Sequence, residues 1–75
     1  MSTLPRISGR DAVAAFRRLG YEVDRQKGSH ISLRDPAPPF RRLTVPDHRE
    51  LAKGTLRALI REAGITVEEF VALVR

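Results

Sequence analysis

Residues 21–35, YEVDRQKGSHISLRD, decide the fold. From Tyr21 to Lys27 the side chains alternate. Tyr21, Val23 and Arg25 fall on one side and Glu22, Asp24 and Gln26 on the other, the period of a half-buried strand. Gly28-Ser29 breaks the run with two residues suited to a type II′ hairpin turn. Alternation resumes at His30, with Ile31 and Leu33 one way and His30, Ser32 and Arg34 the other. Strands joined by so short a turn must be antiparallel.

Downstream, residues 36–39 (PAPP) are a loop, because three prolines in four residues cannot feed a sheet ladder. Arg42 to Val45 reads as a short third strand with Leu43 and Val45 inward, ended by Pro46. Upstream, Ser8 followed three residues later by Asp11 is close to a capping box. Ala12, Val13, Phe16 and Leu19 then share a helical face that stops at Gly20. Residues 53–55 (KGT) open a second helix with the stripe Leu56, Leu59, Ile60 and Ala63, closed by Gly64. Thr66 and Glu69 form a second capping box before a last helix that buries Val67, Phe70, Val71 and Val74. The order α-β-β-β-α-α predicts an α+β domain, a three-stranded antiparallel sheet with the helices on one face. The opposite face is expected to carry Glu22, Asp24, Gln26, His30, Ser32, Arg34, Arg42 and Thr44 to solvent or to a polar partner.

Seventy-five residues make one small domain, 1–75, with residues 1–7 expected as a loose lead-in. A chain this short with no cysteine has no disulfide, thiolate metal site or cysteine nucleophile. No apolar run suggests a secretory signal or a membrane span, so a cytoplasmic location is expected. Fourteen Lys+Arg against nine Asp+Glu give a formal charge of +5. Only Lys27 and Lys53 are lysine; the rest are arginine, whose planar fork suits phosphate. The excess lies entirely before residue 50, since residues 50–75 hold four basic and four acidic side chains. An anionic partner is therefore expected on the N-terminal two thirds.

His30 is the chemically suggestive residue. It sits on the polar face beside the turn, and an imidazole can take or give a proton near neutral pH. Lys27 lies across the turn, Arg25 and Arg34 lie along the strands, and Gly28 and Ser29 offer backbone N–H groups. Cations that hold a phosphodiester beside a proton carrier make a coherent site. The plain alternative is an exposed histidine with no role. His48, in Pro46-Asp47-His48, reads as a loop residue. Two histidines and scattered Asp24, Asp35 and Asp47 give no metal-binding pattern, so no metal or cofactor is expected. Lys53, Arg57 and Arg61 form a basic stripe at i, i+4, i+8, suited to phosphate or to an acidic partner and equally to plain solvation.

Residues 25–30 (RQKGSH), then 45–48 (VPDH), then 53–57 (KGTLR) and 63–65 (AGI), resemble the HicA toxin family over nearly the whole folded chain, to about Phe70. These are small mRNA interferases of bacterial type II toxin–antitoxin pairs. The resemblance implies a fold like that of double-stranded RNA-binding domains. It implies metal-independent RNA cleavage with one essential histidine, which falls on His30 of the Gly28-Ser29-His30 motif. It also implies a HicB-type antitoxin that covers the active site. Arg25, Lys27, Gly28, Ser29, Arg34, Lys53 and Arg57 are the expected RNA contacts. The sequence departs from the family in the loop 35–40, which is longer and richer in proline. The competing reading is a non-catalytic RNA-binding module of the double-stranded type, which would need no histidine at position 30.

Overall fold

The computed structural model describes residues 3–75. Helix α1 (Gly9–Leu19) leads into strands β1 (Glu22–Lys27), β2 (His30–Arg34) and β3 (Arg42–Pro46), followed by α2 (Lys53–Glu62) and α3 (Val67–Val74). The strands form one antiparallel sheet in the order β1-β2-β3. The predicted element order and fold class hold, and no described helix is long and apolar enough to cross a membrane.

Both capping boxes form. The Ser8 and Thr66 hydroxyls accept from the amides of Asp11 and Glu69, whose carboxylates accept in return from the cap amides. Helix α2 lacks such a cap at its start. Its end is held instead by Arg41, which donates to the Glu62 carbonyl at 3.1 Å. Arg18 likewise donates to the Leu73 carbonyl in α3. Both guanidiniums sit where the helix dipole favours a cation.

The core lies between the inner face of the sheet and the helices. Ile31, Leu33, Leu43 and Val45 meet Ala12, Phe16, Leu56, Leu59 and Ile60. Phe16 is the hub, fully buried, with Phe70 at 5.2 Å and Tyr21 at 5.9 Å between ring centroids. Helix α3 packs chiefly on α1, in a second tier away from the sheet.

Several residues depart from the periodic reading. Ala15 is buried in α1 while Leu19 is 40% exposed at the helix end, so the buried face is Ala12, Ala15 and Phe16 rather than one that runs on to Leu19. In α3 only Phe70 is fully buried, and Leu73 joins Val67 and Val74 against the core where Val71 was expected. The lead-in is not loose in its described part: Leu4 and Ile7 are core residues, and the Ile7 carbonyl accepts from the Leu51 amide at 2.9 Å. A small core recruits the apolar side chains that chain connectivity brings to its edge. Residues 1 and 2 lie outside the described residues.

The largest departure is in β1. Val23 pairs with Leu33, but Arg25 pairs with Ser32, so Asp24 is an extra residue in a β-bulge. One inserted residue reverses the side-chain parity beyond it. Gln26 therefore shares the inner face with Ile31 and Val45, and Arg25 and Lys27 share the outer face with Ser32 and His30. The expected placement of Gln26 outward and Arg25 inward is corrected.

Gly9 shows why α1 begins where it does. A Cβ there would stand 1.9 Å from the Pro46 carbonyl oxygen. Glycine to alanine in a helix is ordinarily stabilising. Here Gly9→Ala is expected to destabilise by about 1–3 kcal/mol, the range for forced overpacking, read from the urea midpoint. Tyr21 makes the second test. Its hydroxyl is buried without a hydrogen-bond partner, and burial first, then the Asp35 charge, push its pKa above the usual tyrosine value, with Arg41 opposing. The folded state thus favours the neutral phenol. Its stabilising effect is complete below the unfolded tyrosine pKa and is lost as pH rises toward the folded one. Tyr21→Phe is expected to remove that alkaline loss, seen as a flatter stability profile above about pH 10, with little change at neutral pH.

Candidate functional site

The outer face is a ladder of three rungs. Lys27, His30 and Pro46 form the first, Arg25, Ser32 and Thr44 the second, and Glu22, Arg34 and Arg42 the third. Four cations and two carboxylates, Glu22 and Asp24, occupy it or its bulge. The carboxylates are already engaged: Arg42 bonds Asp24 at 3.2 Å, and Arg34 lies 3.8 Å from Glu22. Among the described residues, Arg25 and Lys27 have no carboxylate partner. Unbalanced positive charge therefore collects at the end of the ladder where His30 stands. His30 is exposed, and Lys27 is its direct cross-strand neighbour, at a Cβ separation of roughly 5 Å for such pairs.

The turn between them is held from below. Gly28 alone of the two turn residues takes positive φ, 59°, which is the II′ pattern. The Gln26 side-chain amide donates to the Gly28 carbonyl at 3.3 Å, and the Asp47 amide donates to the Ser29 carbonyl at 2.7 Å. The Asp47 carboxylate in turn accepts from Arg10 through Nε and Nη2, both at 3.2 Å, and from Gln26 at 3.3 Å. Gly9 donates its amide to the His48 carbonyl at 2.8 Å. Arg10, Gln26 and Asp47 thus clamp the hairpin that carries His30 onto α1 and the loop after β3.

Sequence reasoning missed these three residues. The signal for Gln26 was masked by the bulge, and Asp47 was read only as one of three scattered carboxylates. His48 contributes its backbone carbonyl, and its exposed imidazole has no partner among the described residues. Of the expected RNA contacts, the structure gathers Arg25, Lys27, Gly28, Ser29 and Arg34 around His30's face and turn. Lys53 and Arg57 stand apart. They lie on α2, whose Leu56, Leu59 and Ile60 cover the opposite face of the sheet, and no hydrogen bond or ion pair joins either to the hairpin. No three His, Asp or Glu side chains gather at metal-binding spacing among the described residues.

A family model described as HicA toxin of bacterial toxin-antitoxin matches residues 9–65. The chain belongs to the HicA toxin family. The match starts at the first residue of α1, takes in all three strands and α2, and stops before α3. It confirms the resemblance carried by the hairpin and the α2 start, although that resemblance was traced as far as Phe70. The role of a HicA chain is that of the toxin in a pair, and the family implies a cognate antitoxin. A comparison with curated proteins returned no match.

The clamp can be tested directly. Asp47→Ala removes both Arg10 bonds and the Gln26 bond at a half-buried carboxylate. It is expected to cost roughly 1–2 kcal/mol, given the modest worth of a partly exposed pair with charge-assisted hydrogen bonds. Amide exchange in residues 26–30 is expected to speed up while α2 amides keep their protection.

Proposed function

We propose that this HicA chain is a metal-independent endoribonuclease that cleaves mRNA with His30 as its proton carrier. The observation that supports this most is the first rung of the outer ladder: an exposed imidazole beside an unpaired ammonium, next to a turn whose geometry is pinned. RNA brings its own nucleophile. The His30 imidazole takes the proton of a 2′-hydroxyl, the freed oxygen attacks the adjacent phosphorus, and the P–O5′ bond breaks. The products are a 2′,3′-cyclic phosphate and a 5′-hydroxyl end, the leaving oxygen receiving its proton from the imidazolium or from water. Lys27 and Arg25 neutralise the charge that grows on the phosphoryl oxygens. Gly28 leaves open space where a side chain would begin, so a phosphate can approach the turn backbone.

The same surface explains inhibition. A HicB-type antitoxin that lays acidic side chains over Arg25, Lys27 and Arg34 would block the phosphate path and His30 together. Lys53 and Arg57, on the other side of the sheet, belong in this reading to a peripheral contact with RNA or antitoxin. The pair acts on mRNA, and the cytoplasm is therefore its place.

The test compares the wild-type chain with His30→Ala, a change at an exposed side chain that makes no hydrogen bond or ion pair among the described residues. Wild type is expected to stop growth on induction and to cut labelled RNA in chelator, leaving a cyclic phosphate. His30→Ala is expected to lose roughly 10²–10⁴-fold in cleavage, the usual worth of general acid–base catalysis. Undiminished cutting of a strand that lacks 2′-hydroxyls would exclude the mechanism. Equal RNA binding by both proteins with cleavage by neither would make the domain a binding module.

A further inference from the structure

At the end of the outer face away from His30, the loop after β2 holds an aromatic ring out of the core. Arg34, Asp35, Pro36, Phe40 and Arg42 enclose an open cavity of about 240 Å³. Phe40 is 63% exposed, more than any other large apolar side chain described. It is also the one non-glycine residue described with positive φ, at 59°, a conformation disfavoured for a bulky side chain. Strain of this kind gathers at functional sites.

The ring is presented by a pinned loop. The Phe40 amide donates to the Ala37 carbonyl at 2.8 Å, the Ala37 amide to Asp35 Oδ1 at 3.0 Å, and the Asp35 amide to the Arg41 carbonyl at 2.9 Å. The other Asp35 carboxylate oxygen accepts no hydrogen bond among the described residues.

We propose that this cavity is a subsite for one unpaired nucleobase of the RNA, stacked on Phe40. The proposal rests on reading the His30 face as an RNA surface and names the form of RNA it takes, a single strand. Aromatic side chains hold splayed bases by stacking on any base, and a duplex hides those faces. Arg34 and Arg42 flank the ring. Their partners Glu22 and Asp24 are surface pairs that a phosphate can displace. The free oxygen of Asp35 offers an acceptor to the amino edge of a base. The cavity is smaller than a drug-sized pocket, which fits one base. Four residue steps along β2 take the chain from Arg34 to His30, about 13 Å of strand. Arg25 lies along the way, so an extended strand can cross from the pocket to the turn over a row of cations.

The experiment measures binding of short 2′-O-methyl RNA oligonucleotides, which lack the attacking hydroxyl, with one abasic site moved along the strand. Wild type is expected to lose roughly tenfold in affinity at one position. Phe40→Ala should bind the intact strand weaker by a similar factor and be indifferent to the abasic site there. Phe40→Trp should keep full affinity. It also places a single tryptophan in a chain that has none, and its emission should be quenched by the intact strand and not by the abasic one. A flat abasic scan, or full affinity in Phe40→Ala, overturns the proposal. So does a Phe40→Ala effect confined to binding of a HicB-type partner, which would make the ring a protein contact. Cleavage of unmodified RNA is followed in parallel. Coupling of Phe40 to one base without cleavage sustains the pocket and removes the catalytic reading. Cleavage without coupling removes the pocket alone.

Discussion

The molecule depends on a backbone contact that only glycine permits. At Gly9 the first turn of α1 comes down on the Pro46 carbonyl at the end of β3, too close for any Cβ. That approach brings three segments distant in sequence to one place: the start of α1, the β1–β2 turn and the residues after β3. Gly9 then reaches the His48 carbonyl, Asp47 reaches Ser29, and Arg10 closes on the Asp47 carboxylate. The hairpin that carries His30 is anchored by these contacts. A two-stranded hairpin is marginal by itself, and β1 is an exposed edge strand along its whole length. Without the anchor, the histidine would ride on the least supported part of the sheet.

The bulge at Asp24 gives that anchored hairpin its electrostatic character. An unbulged β1 would turn Arg25 and Lys27 toward α1, away from the face that carries His30. With one extra residue, both cations move to the face of His30 and Gln26 moves below to brace the turn. The acidic residues stay at the far end, matched to Arg34 and Arg42. The face is thus graded, from balanced pairs near β3's start to unbalanced charge at the turn. Such a gradient draws an anion toward the histidine.

Arginine serves two ends in this chain. Arg10 clamps a loop, and Arg18 and Arg41 hold the carbonyl ends of α3 and α2. Arg25, Arg34 and Arg42 face the candidate substrate surface. Composition counts all of these alike, so a net charge of +5 overstates what is free for a ligand and says nothing of where it is free.

The element order, both capping boxes, the turn and the identity of the inward residues on β2 and β3 are local properties. Each follows from side-chain period or from a cap within four residues, and the sequence alone determined them. The Gly28-Ser29-His30 motif was legible for the same reason, and with it the family. What lay beyond the sequence depends on contacts between distant residues. Strict alternation cannot reveal a bulge, because the extra residue is defined only by its partner strand. Helical period could not choose Ala15 over Leu19 or Leu73 over Val71, because which side chains are covered depends on where the other elements pack. Asp47 looked like one scattered carboxylate until Arg10, thirty-seven residues away, closed on it. Only the tertiary structure could decide which cations share a face with His30, because that depends on the register between β1 and β2.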